Sequence, residues 1–448
     1  MTAKEEAKRR AFIWIDETRE GLTDFLTEYV QHKSINPTRA LDFESGGTTE
    51  CQRWLSGYLS SLGCFDRVEL IQAGPDDFNV VATMHATSAE SFRSILFNGH
   101  SDVVPVTEQE YEQWVGGDPW SGHVEDGLLY GRGASDMKGG NAAVIWAMNA
   151  LASIGFVPPG QVIATFIIGE ESGEVELGPH NVLKSGYGAD IAVVAEATDL
   201  VVCPAAVGWF FFRVDVLGEA AHAAGRVRAV HPSSDGVIGV NAIELMGRIM
   251  SRLRDLEQGW GLYEKHPLMT PGTMGMNPVH IAGGGMQATT PDACSVIWAV
   301  TLSPNRTCAD VIAEIERVIR TVEVGDVWLS AHPPVVTFPY LHTYYDPIDI
   351  SVDHPATLAL LKAVTDSTVT GRGIGMMPTP SDANLFAAAG QPSLVCGPGR
   401  LVGTGVHGLN ERIEIEDVVQ AAKSYVGMIL EWCSQRREES SLGGPPVR

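Results

Sequence analysis

The chain has 448 residues, 44% hydrophobic and 19% charged, with a mean hydropathy of +0.03; this is a globular composition, long enough for two compact units. Thirty-one Lys and Arg against 55 Asp and Glu give a formal charge of −24, which excludes nucleic acid as a partner, because a phosphate backbone demands a basic patch. No run of about eighteen apolar residues is present, which excludes a membrane span, and the start "MTAKEEAKRRAFIW" has no secretory-signal pattern. The seven cysteines are scattered without a C-x-x-C pair and read as reduced thiols of a cytoplasmic protein.

Along the first half, strand-like runs alternate with helix-like ones. "NVVATMHA" and "SILFNG" are short and β-rich, and "NAAVIWAMNALASIG" predicts a helix closed by Gly155. "QVIATFII" and "ADIAVVAEA" are continuous apolar strands of the kind buried on both faces of a parallel sheet. The alternation implies an α/β fold, mostly parallel, with helices on both faces. After Gly208 the pattern changes. "WFFFRVDVLGEAAH" alternates as a strand with one buried face, "GVNAIELMGRIMSRLRDLEQ" is an amphipathic helix, "CSVIWAVTLS" a strand, "CADVIAEIERVIRTVE" a second helix and "PVVTFPY" a closing strand. Two strand–helix units in one block predict a smaller α+β domain from Trp209 to Tyr340, set into a larger domain made of residues 1–208 and 341–448. The larger domain resumes with helices in "HPATLALLKAVTD" and "SDANLFAAAG", the strand "PSLVCG" and the helix "IEDVVQAAKSYVGMILEWC". The start of "SDAN" is a helix capped by Ser381 or Asp382. The last residues look like a frayed tail.

His and acidic residues fall at the ends of these strands. "SILF" leads to His100 and Asp102, "QVIATFII" to the adjacent Glu170 and Glu171, "ADIAVVA" to Glu196, and "PSLVC" through a glycine-rich loop to His407. Carboxyl ends of parallel strands share one edge, where α/β proteins build their sites. "GRGASDMKGG" adds Asp136 ahead of the long helix. Two imidazoles and several carboxylates without cysteine suit two divalent ions held by nitrogen and oxygen, zinc foremost, with cobalt or manganese as alternatives. A cation also explains adjacent glutamates at the mouth of a buried strand, since like charges so close oppose each other's ionisation. One of the pair can bind metal while the other takes a proton from water. Asp102, two residues from His100, can accept a hydrogen bond from the ring nitrogen that faces away from the metal.

Other chemistries fit less well. "GRGASDMKGG" lacks the third glycine of a dinucleotide fingerprint and the Gly-Lys-Ser/Thr of a P-loop. Neither "NGHSDV" nor "RGASDM" is a G-x-S-x-G elbow, and no H-E-x-x-H helix exists.

Taken together, "NGHSDVVP", "GRGASDMKGG", "IGEESGE", "VAEAT", "GEAAHAA", "SDANLF" and "GTGVHGLNE" resemble the zinc-dependent aminoacylase, acetylornithine deacetylase, succinyl-diaminopimelate desuccinylase and carboxypeptidase G family. The likeness runs in order from about residue 95 to residue 425, and as a set the motifs are specific. It implies a catalytic α/β domain with two co-catalytic metals and an inserted ferredoxin-like βαββαβ domain that forms a homodimer. It further implies His100 and Glu196 on one metal, Glu171 and His407 on the other, and Asp136 as the bridge ahead of a cis peptide to Met137. Asp102 would orient His100, Glu170 would be the general base, and His222 in "GEAAHAA" would face the substrate carbonyl. Two positions depart from the family pattern. Gln287 stands where an Asn is usual, and Thr301 where an Arg grips the substrate carboxylate. A free α-carboxylate would then be held by Arg226 or Arg228, or be absent.

The function implied is hydrolysis of a small N-acyl amino acid or peptide-like amide by a metal-bridging water, with Glu170 as proton carrier and His222 stabilising the oxyanion. Hydrolytic deamination of a small amine at the same site is the second enzymatic reading. A non-catalytic metal-binding dimer is the reading from another class, and the presence of Glu170 argues against it.

Overall fold

The computed structural model describes residues 2–36, 46–174, 176–225, 239–339, 344–368 and 371–437. The chain divides into two compact units, one spanning Met1–Ala206, Ile348–Met377 and Ser381–Arg448, the other Val207–Pro347 and Pro378–Pro380. The second thus begins two residues before the expected Trp209 and runs on to Pro347; its expected end, Tyr340, lies outside the described residues.

In chain order the first unit contributes β1 (Arg67–Gln72), β2 (Phe78–Met84), β3 (Ile95–His100), β4 (Val162–Ile167), β5 (Ile191–Val194) and β6 (Val202–Ala206). The second holds β7 (Gly208–Leu217), β8 (Gly275–Gly283), β9 (Ala293–Leu302) and β10 (Val335–Thr337). The chain returns to the first with β11 (Ile348–Asp349), β12 (Ile374–Met377) and β13 (Ser393–Val395).

The first unit's large sheet runs β1-β2-β4-β3-β5-β13-β6-β11, with β12 on β6. Its centre, β4-β3-β5-β13, is parallel, whereas β2 joins β4, and β6 joins β13, antiparallel. Every residue of β3, β4 and β5 is buried, and so their sequences are mostly apolar without alternation, the exceptions being the buried Asn98, His100 and Thr165. The helix Gly139–Ser153 is buried on nearly all sides and packs against Ile415–Trp432, as a helix apolar all round must. Gly155, with φ of 73°, follows its C-terminus in the left-handed region. Two glycines let this helix approach the sheet. A Cβ on Gly99 would lie 2.0 Å from Asn141 Oδ1, and one on Gly140 would lie 2.1 Å from the Ala195 carbonyl oxygen. No larger residue fits at either position, one just before His100 and the other against the residue before Glu196.

The second unit is an antiparallel sheet in the order β8-β9-β7-β10 with the helices Ala242–Tyr263 and Cys308–Gly325, giving βαββαβ in chain order. Burial alternates strictly along β7 and β9, the mark of a sheet covered on one face. Asn241 Oδ1 accepts from the Ile243 and Glu244 amides, and Thr307 caps the second helix through the Asp310 amide. Strand β8 is absent from the sequence expectation. It carries Pro278, and its register with β9 shifts between Pro278 and His280. Proline inside a run argues against a strand unless the strand lies at an edge, and β8 is an edge. No helix among the described residues is long and apolar enough to cross a membrane.

Candidate metal centre

Four neighbouring parallel strands deliver the candidate residues to one sheet edge. β4 leads to Glu170 and Glu171, β3 ends on His100 and runs on to Asp102, β5 leads to Glu196, and β13 opens the loop to His407. Asp136 arrives from the turn before the helix Gly139–Ser153, and its peptide bond to Met137 is cis.

The donors close around Asp136. His100 Nε2 lies 3.2 Å from Asp136 Oδ1 and 3.6 Å from Glu196 Oε1. His407 Nε2 lies 3.4 Å from Asp136 Oδ2 and 3.0 Å from Glu171 Oε2. Two ligands each about 2.0–2.1 Å from a tetrahedral ion stand roughly 3.3 Å apart, so each cluster has the spacing of a coordination shell. One oxygen of Asp136 serves each cluster. His100, Asp136 and Glu171 also offer ligand atoms within 4.8 Å of one another.

The electrostatics call for cations. Asp102, Asp136 and Glu196 are buried, Glu170 and Glu171 partly so, and among the described residues the groups in ion-pair range of this cluster are the two imidazoles. Burial pushes the Glu170 carboxyl well above the ordinary carboxylate range, with His100 opposing and Glu196, Asp382 and Glu171 adding. Burial also raises Glu196, with Asp136 adding, and raises Glu171. Asp136 is the exception: burial would raise it, but hydrogen bonds from His100 and His407 hold it below its usual range. The same contacts, with Asp136 first and Glu171 second, lift His407 to about 10. Carboxylates crowded this way ionise together only beside positive charge, and the nitrogen and oxygen donor set fits a pair of divalent ions.

Asp102 departs from its expected contact. The His100 Nδ1 donates to the Asp102 backbone carbonyl at 2.9 Å, while the Asp102 carboxylate stands 3.8 Å away. The carboxylate is used elsewhere, with Oδ2 accepting from Asn36 Nδ2 at 2.6 Å and from the Glu171 amide at 3.2 Å. It therefore ties the His100 strand end to the Glu170–Glu171 turn. Three contributors escaped the sequence reading. Asn141 donates to the His100 carbonyl at 2.7 Å, and Asn36 holds Asp102. Asp382 is buried, accepts from Asn98 Nδ2 at 3.0 Å, and is raised by burial to about 7. Ser381 is the helix cap, in a capping box with Asn384, so the first helical residue, Asp382, is free to face the cluster. An acidic residue beside an adequate cap was the available signal.

His222 belongs to the second unit. It is exposed, bridges Thr289, and its Nδ1 accepts from the Ala224 amide at 3.2 Å. Gln287 is exposed in the turn before β9, and Thr301 lies within β9, opposite Trp209 and Gly275. Arg226 and Arg228 lie outside the described residues.

The profile of peptidase family M20/M25/M40 matches residues 96–431, a span that holds every one of these donors. The chain belongs to peptidase family M20/M25/M40. Among its relatives in that family, the N-formyl-4-amino-5-aminomethyl-2-methylpyrimidine deformylase of Bacillus subtilis is 31% identical, covering 95% of this chain and 97% of its own. The acetylornithine deacetylase of Proteus mirabilis is 24% identical over 92% of this chain and 97% of its own. Of solved structures, an M20 metallo-carboxypeptidase from Sulfolobus solfataricus superposes with a TM-score of 0.66 at 17% identity, covering 92% of this chain and 99% of that one. This M20 chain is a metal-dependent amidohydrolase.

Proposed function

We propose that this chain removes a small acyl group, a formyl group first, from the amide nitrogen of a small molecule that lacks an α-carboxylate, such as an N-formyl aminopyrimidine. The observation that carries this reading is the 31% identity to the Bacillus subtilis deformylase across nearly the whole of both chains. Thr301 supports it. Where the family resemblance implies a carboxylate-gripping Arg, this residue is uncharged, and its cross-strand partners are Trp209 and Gly275, so the register sets no cation beside it.

His100 and Glu196 would hold one ion, Glu171 and His407 the other, and Asp136 both; zinc suits these donors first, then cobalt and manganese. Such a pair supplies polarisation of the amide carbonyl and a water acidic enough to attack near neutral pH. Glu170 takes the proton from the attacking water and returns it to the departing nitrogen. His222 steadies the oxyanion. Its Nδ1 is an acceptor, which sets the ring proton on Nε2 and makes that atom the donor. Asp102, through its carbonyl on His100 and its carboxylate on the Glu171 amide, keeps both sides of the cluster in register.

The second unit would be the dimer contact, in a cytoplasmic protein whose cysteines are all free. The edge strand β8 leaves Val279 and Ile281 50% and 58% exposed, and an unpaired edge is a template for a second copy. Two copies meeting about a two-fold axis would satisfy both edges at once.

Two measurements test the reading. Metal analysis should approach two ions per chain, and chelation should abolish turnover; full activity with one tightly held ion would end the two-ion scheme. An N-formyl aminopyrimidine, N-acetyl and N-succinyl amino acids and glutamyl amides should then be compared for released amine and acid. The formyl pyrimidine should be cleaved with the highest kcat/KM, releasing formate. Cleavage of carboxylate-bearing substrates alone would overturn the substrate class, and release of ammonia without acid would favour the deaminase.

A further inference from the structure

The turn carrying Asp136 and the loop carrying His407 are joined by a buried ion pair, Arg132 with Glu411, that reaches both segments through their backbone. Glu411 is fully buried and Arg132 nearly so. Glu411 Oε1 accepts from the Ser135 and Asp136 amides, both at 3.0 Å. Its Oε2 accepts from Arg132 Nη1 at 2.5 Å. The other arm of the guanidinium, Nη2, donates to the Gly408 carbonyl at 3.2 Å, and its Cζ lies 5.6 Å from the centre of the Trp114 ring. One carboxylate thus holds the backbone of the bridging aspartate, and its cation holds the residue after His407.

The two donor clusters differ in how they are otherwise supported. His100 is buried, its carbonyl receives Asn141 and its ring donates to the Asp102 carbonyl. His407 is 52% exposed in its side chain and adopts a φ of 56°, the left-handed region, within a glycine-rich loop. Its ring meets only carboxylates, those of Asp136 and Glu171, among the described residues.

We infer that Arg132 and Glu411 are positioning residues that set the distance between Asp136 and His407, and so the affinity of the second ion position, the one served by Glu171 and His407. The inference rests on the two-ion reading above. A guanidinium is suited to the task because its fork can donate to a carboxylate and a carbonyl in one plane. Glu411→Gln keeps the size of the side chain and an oxygen for the two amides, but turns an NH2 group toward Arg132, donor against donor. The Arg132–Glu411 contact is then lost, and with it the anchor from which Arg132 holds the Gly408 carbonyl.

The test is titration of metal-free protein with cobalt(II), followed by visible absorption and calorimetry, with the melting temperature of the metal-free form measured alongside. Glu411→Gln should weaken the second ion about 10–100-fold, as loss of an outer support does, and leave the first ion unchanged. Turnover should recover at high metal concentration, which a general loss of folding would not allow. Arg132→Lys keeps the charge without the fork and should weaken the second ion alone, and it decides the matter if Glu411→Gln fails to fold. Glu414→Gln, an exposed change of the same charge, should behave as wild type. If wild type takes up only one ion, the two-ion reading falls and this inference with it. If wild type takes two and the variants match it, or lose both ions together with a lowered metal-free melting temperature, the inference alone is overturned.

Discussion

Glu170→Gln is expected to lower kcat by about 10²–10⁴-fold, a barrier increase of about 3–5 kcal/mol, while both ions stay bound. Glu171→Ala, one residue away, is expected to lose an ion. The two neighbours differ in what they touch. The Glu171 carboxylate lies 3.0 Å from His407 Nε2 and its amide is fixed by Asp102, so truncation removes a donor. Glu170 stands in ion-pair range of neither imidazole among the described residues and meets His100, Glu196 and Asp382 through charge alone. An amide in its place keeps the shape and cannot accept the proton. Metal analysis beside steady-state kinetics separates the cases, and equal metal loss in both variants would show that this division of roles is wrong.

His222→Ala should cost about 10²–10³-fold in kcat, the usual loss of one oxyanion donor, and that loss should be reparable by a partner subunit. If two copies pair through their β8 edges about a two-fold axis, each second unit can serve the other chain's metal cluster as readily as its own. Inactive His222→Ala protein mixed with inactive Glu170→Ala protein would form heterodimers with one complete site, built from one chain's Glu170 and the other's His222. Random exchange makes about half the dimers mixed, each with one working site of two, so activity should recover to about a quarter of wild type. Tagged subunits verify that exchange has occurred. A mixture that exchanges and stays inactive would place His222 within its own chain's site.

Much of the centre is legible along the sequence because its residues follow strands whose burial writes itself into composition. β3, β4 and β5 are buried throughout, so their ends, and the His or Glu just beyond, stand out from the apolar runs. Helix starts are equally local: Asn241, Thr307 and Ser381 each accept amides from the first turn that follows. What local pattern cannot carry is which strands lie side by side. The lateral order β4-β3-β5-β13 brings Glu171 and His407, 236 residues apart, to the same oxygen-rich point across Asp136. The use of each side chain is likewise decided by neighbours distant in sequence. Asp102 is spaced to reach His100, but Asn36 and the Glu171 amide claim its carboxylate and leave the backbone carbonyl for the ring. Glu411 and Asp382 read as ordinary turn and helix residues until burial removes water as their partner. Strand β8 was hidden for the opposite reason, since Pro278 contradicts a strand locally and only an edge position, with no second neighbour to pair, permits it. Periodicity and capping are settled within a few residues of chain; pairing, burial of charge and choice of hydrogen-bond partner depend on what the rest of the fold packs against each group.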